Sequence, residues 1–83
     1  MATLAKRLLQ QQIEEADHQI AHLKLRVEQQ IVQLDELAQH PHEAKRARAT
    51  LDRWLRELSL LQRQRLNLYR QFAVAGGLRA KAS

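Results

Sequence analysis

Cysteine is absent from the 83 residues, so a disulfide framework and a thiolate metal site are both excluded. Proline occurs once and glycine twice. Long stretches therefore lack the two residues that most readily interrupt a helix. Aromatics make up 4% of the chain, too few for a large aromatic core. No apolar run approaches the roughly 18 residues needed to cross a bilayer. The first residues, Met1 to Leu9, also lack the continuous apolar centre of a secretion signal. The expected location is the cytoplasm. No Ser-His-Asp grouping, paired-carboxylate site or glycine-rich phosphate loop can be assembled, and the expectation is a chain without catalytic activity or cofactor.

What remains is rich in Leu, Ala, Gln, Arg and Glu, the composition of long helices and coiled coils. Net charge is +5. A basic balance favours acidic partners such as an acidic protein face or nucleic acid. A chain this short forms one domain, residues 1–83, with little core of its own, which points to self-association.

From Leu9 the apolar residues advance by alternating steps of four and three: Leu9, Ile13, Ala16, Ile20, Leu23, Val27, Leu34 and Leu37. This is a heptad seam with one polar intrusion, Gln30, beside which Ile31 is positioned to fill the gap. The pattern predicts a helix over 3–39, about 54 Å long at 1.5 Å per residue. Gln39-His40-Pro41-His42 then interrupts it. The residue before a proline avoids helical angles, and proline suits the first turn of a new helix. A turn over 39–42 and a second helix over 42–75 follow. In that helix Ala44, Ala47, Leu51, Trp54, Leu58, Leu61, Arg65, Leu68 and Phe72 repeat the seam.

Folding the chain back aligns the two seams without an insertion. Leu37 faces Ala44, Leu34 faces Ala47, Gln30 faces Leu51 and Val27 faces Trp54. The register continues through Leu23 with Leu58, Ile20 with Leu61, Ala16 with Arg65, Ile13 with Leu68 and Leu9 with Phe72. A proline could instead merely kink one rod, but the register favours an all-α antiparallel two-helix hairpin, a short coiled coil. Trp54 reads as core. Gly76 and Gly77, with Leu78 folding back, read as the cap of the second helix, and residues 76–83 as a basic tail.

More apolar residues are present than the seam consumes. Leu25, Val32, Leu55, Leu66 and Tyr69 are candidates for self-association, most simply a homodimer forming a four-helix bundle. Charge is also uneven. Arg56, Arg63 and Arg70 recur every seven residues opposite the seam, with Arg46 and Arg53 alongside. Arginine makes bidentate contacts to carboxylates and phosphates. The row is read either as a solvated face, as a site for an acidic protein or lipid face, or as a contact to RNA or DNA.

Three smaller features remain. His18 and His22, four apart, could share a metal ion, but no third ligand of the right kind accompanies them, so no metal site is assigned. His40 and His42 flank the turn and read as polar loop residues. Arg65 in the seam needs either Asp17 as a partner or an exposed path for its head group.

The run Ala16-Asp17-His18-Gln19-Ile20-Ala21, the following Arg26-Val27-Glu28-Gln29-Gln30, the turn at His40 and the stretch Ala44 to Leu61 together resemble a group of short bacterial hypothetical proteins. These have a His- and Gln-rich first helix, a short turn and a leucine-heptad second helix. The resemblance covers residues 16–70 and implies the hairpin fold, with no activity attached. RNA-binding bundles of the Rop type share the architecture, an analogy of fold alone.

Overall fold

In a computed structural model, which describes residues 2–76, the chain forms two long helices and no strand among those residues. Helix α1 spans Ala2–Glu36 and helix α2 spans Pro41–Gly76. They pack against each other along their length, and the molecule measures 63 × 19 × 14 Å. Cross-helix contacts fix the direction. Gln30, near the end of α1, meets Ala47, near the start of α2, whereas Asp17 meets Arg65 and Lys6 lies beside Phe72. The hairpin is antiparallel.

The seam is where the heptads place it. Ile13, Ala16, Ile20, Leu23, Val27 and Ala47 are buried, and Leu9, Gln30, Leu34, Leu37 and the rest of the α2 seam are half-buried. No large side chain is fully enclosed among the described residues, because each layer holds only two side chains with open flanks on both sides. Two expectations are corrected by this thinness. Trp54 is half-buried rather than core, since one facing valine cannot cover an indole. Ile31 does not fill the gap beside Gln30. It stands 52% exposed, and Gln30 occupies its own layer by donating Nε2–H to the Ala47 carbonyl at 3.2 Å.

The turn differs in detail from expectation. Helix α1 ends at Glu36, not at residue 39, and α2 begins at Pro41 rather than 42. The Leu37 amide is shared between the carbonyls of Gln33 and Leu34, and the Ala38 and His40 amides donate to Asp35 and Leu37. These three-apart bonds tighten the chain out of the α-helix before the proline is reached. The His40 carbonyl accepts the Ala44 amide at 2.8 Å, making His40 the N-cap and Pro41 the first helical residue. No non-glycine residue among those described needs a positive φ.

Charge supports the bend. The last turn of α1 carries Asp35 and Glu36 and no basic residue, which is unfavourable at the negative pole of its own helix. Helix α2 opens with Glu43 in its first turn, which is favourable at its positive pole, and Lys45, Arg46 and Arg48 follow beyond that turn. The hairpin brings the acidic end of α1 to the start of α2, whose positive pole attracts acids. At the far end α2 continues through Gly76, one residue past the expected Ala75. The remainder of the proposed cap, Gly77 and Leu78, and the basic tail lie outside the described residues.

Candidate functional site: an arginine row and two unlike flanks

Residues seven apart on a helix fall within about 20° of one another. Arg56, Arg63 and Arg70 therefore form one line on α2, opposite the seam, and Arg46 and Arg53 run along its shoulder. The rise per residue spreads the five over about 36 Å. All five side chains are exposed. The single ion pair among the described residues joins Asp17 and Arg65, so none of the five has a carboxylate within 4.0 Å. A shallow depression beside the row is lined by Arg53, Trp54, Arg56, Glu57 and Leu60.

Arg65 interrupts the seam in the manner its position requires. Its Nη1 donates to Asp17 Oδ1 at 3.0 Å. Both alternatives for this residue are realised together: the pair forms, yet the side chains keep 39% and 46% of their exposure. The guanidinium also sits 5.9 Å from the centre of the Tyr69 ring. Lys6 stands 5.4 Å from the Phe72 ring at the open end. Such contacts at exposed sites contribute about 0.5–1 kcal/mol.

The seam separates two flanks of different chemistry. One is polar. A groove along it is lined by Gln12, Glu15, Gln19, Gln64, Asn67 and Gln71 over Ala16 and Leu68. Its continuation holds His18, His22, Arg26 and Glu57 around Leu23 and Leu61. The two histidines thus share a groove with an arginine, and no cluster of three or more metal-ligating residues occurs among the described residues. The opposite flank carries the Asp17–Arg65–Tyr69 contact. Ile31 is two heptads from Asp17, and Leu55 is two heptads from Tyr69, so both belong to this flank, which Leu66 borders. These four apolar side chains are 42–52% exposed.

The residues expected to mediate self-association are therefore split. Leu55, Leu66 and Tyr69 share one side of α2, joined by Ile31, which was expected to fill the gap beside Gln30. Leu25 and Val32 lie elsewhere, 52% and 58% exposed on the outer face of α1. The polar flank was present in the sequence as a further row at heptad spacing, Gln12, Gln19 and Gln33 on α1 with Gln64 and Gln71 on α2; the other flank mixes Leu55, Tyr69 and Ile31 with Arg48, Gln62 and Lys24. No helix among the described residues is long and apolar enough to cross a membrane. No family model matches the chain, and no curated protein or solved structure matches it significantly.

Proposed function

We propose that the chain is a non-catalytic helical interaction module that self-associates and binds an acidic protein partner. One observation carries the reading: five exposed arginines in register, none paired with a carboxylate among the described residues. Arginines held in line on a rigid helix present a preorganised set of donors, so less side-chain entropy is lost on binding than from a flexible loop. The exposed flank of Ile31, Leu55, Leu66 and Tyr69 supports a homodimer, two hairpins meeting flank to flank as a four-helix bundle.

The competing reading is a nucleic-acid contact through the same arginines. Arginine's match to phosphate favours it. Base stacking does not: Trp54 is half-buried in the seam, and Arg65 already sits beside the Tyr69 ring. The test compares binding to poly-glutamate and to duplex RNA across a salt series. The protein-partner reading expects binding to the polyanionic peptide that weakens when Arg56, Arg63 and Arg70 are changed to Gln. Retention of RNA with a log–log salt slope near −4 to −5, about 0.9 per phosphate for five contacts, would replace it with the nucleic-acid reading.

A further inference from the structure

We infer that the acidic partner of the arginine row is a second copy of this chain, which presents the outer face of α1 to the row on α2. This rests on the reading that the row meets an acidic protein, and it names that protein.

The first argument is period. Arg56, Arg63 and Arg70 repeat about every 10.5 Å along a straight line. The surface that matches such a line is another α-helix whose acids recur at the same interval. A nucleic-acid duplex presents a charge roughly every 3.4 Å on each strand, and the strands wind away from a straight helix.

Helix α1 offers such a surface in part. Glu14, Glu28 and Asp35 lie in one row at multiples of seven on a shoulder of its outer face, with Ala21 at the place between the first two and Arg7 one heptad before them, and Glu15 and Glu36 lie on the other shoulder. Among the described residues only Asp17 is engaged in an ion pair, so these five acids have no basic group within 4.0 Å. The counts agree: α1 holds six acidic and four basic residues, whereas α2 holds three acidic and eight basic. Within one hairpin the two sets cannot meet. Each lies on the side of its helix away from the seam, so they occupy opposite edges of the molecule.

Apolar groups fall on both faces. Leu25 and Val32 stand between the α1 acids, 52% and 58% exposed, and Leu60 and Val74 border the arginine row at 56% and 61%. Docking would cover all four. The contact is therefore more than charge against charge, and it includes the two residues that the apolar flank leaves out.

The placement has a geometric consequence. The two complementary faces are on opposite edges, so the contact joins the α1 face of one copy to the α2 face of the next. No closed two-fold pair can use both faces of each copy. Copies add side by side, and the assembly grows with concentration rather than stopping at two. It also weakens with salt, since the Debye length falls from above 10 Å to a few Å between low and high ionic strength.

Sedimentation analysis of the full chain over a concentration series, at about 50 mM and 500 mM salt, tests this. The wild type is expected to pass beyond the dimer at low salt and to retreat at high salt. A triple variant R56E/R63E/R70E and a triple variant E14R/E28R/D35R should each require about tenfold or more protein to associate. Mixed in equal amounts they should associate again, alternating along the assembly. Circular dichroism checks helicity, and R56Q/R63Q/R70Q, which introduces no new repulsion, should show the same loss if either reversal variant unfolds. The inference is overturned if the charge-reversed chains keep the wild-type mass profile, or if their mixture stays apart. It is also overturned if the wild type remains monomeric or dimeric at low salt while the row still binds poly-glutamate; in that case the proposed function stands and the partner is another protein.

Discussion

The Asp17–Arg65 pair offers a quantitative check on the seam. The two groups approach to 3.0 Å, where Coulomb attraction in bulk water is about 1.4 kcal/mol. Against this stands the cost of holding an arginine and an aspartate in one geometry. With 39% and 46% of their side-chain surface in solvent, the pair belongs with exposed ion pairs, whose measured coupling is about 0.2–1 kcal/mol. The expected coupling is about 0.5 kcal/mol. A double-mutant cycle of wild type, Asp17→Ala, Arg65→Ala and both together isolates it, because the loss of the Tyr69 contact and of packing by the arginine stem cancels. Stability would be read from urea unfolding followed by circular dichroism, at one protein concentration, in low and high salt. The single changes should differ: Arg65→Ala, which also loses stem packing and the ring contact, should cost more than Asp17→Ala. The coupling should fall by about half or more at 1 M salt. A coupling above about 2 kcal/mol, insensitive to salt, would mean that the pair is desolvated and the flank covered in solution. A coupling of zero at low salt would mean that the arginine head points to water and that the register at Ala16 is held without it.

Other consequences can be checked with the same assay. Ile20 is the most enclosed seam residue at 3% exposure, so Ile20→Ala should cost about 2–4 kcal/mol, whereas Leu4→Ala, at 62% exposure, should change stability by less than about 0.5 kcal/mol. Equal effects at the two positions would contradict the placement of the seam. Deleting His40 should rotate α2 by about 100° against α1 and misalign every layer, lowering the urea midpoint sharply and reducing helicity; an unchanged melt would remove the hairpin itself. Replacing Leu55 and Tyr69 together by Glu should leave helicity in place and abolish a flank-to-flank dimer, read by light scattering at about 500 mM salt as a halved mass.

The seam was legible because each of its positions needs only one property, an apolar side chain at steps of three and four. Asp17 as the partner of Arg65 could be read for the same reason: one acid lies within reach once the chain is folded back. The end of α1 could not. Gln33 to Gln39 has no residue that forbids helix, and the early stop at Glu36 comes from three-apart hydrogen bonds that close the turn. Trp54 and Ile31 were misplaced by treating the seam as a core. A two-helix layer covers a residue from one direction only, so side-chain size and flank decide exposure, and the heptad letter alone does not. The arginine row was visible as a period. That its members lack partners required the structure.

The constant register also orders the molecule in time. The Gln30–Ala47 bond closes a segment of 17 residues, and the Asp17–Arg65 bond one of 48. Closing the longer loop from an open chain costs about 1 kcal/mol more. Contacts near the bend are thus the least expensive to make first, and each layer formed shortens the loop that the next must close. The hairpin should zip from Pro41 outward and open in reverse, with Leu9 and Phe72 exchanging their amide hydrogens before Leu34 and Ala47. A partner that grips the far ends would then act on the part of the protein that opens most often, and would slow its unfolding without touching the bend.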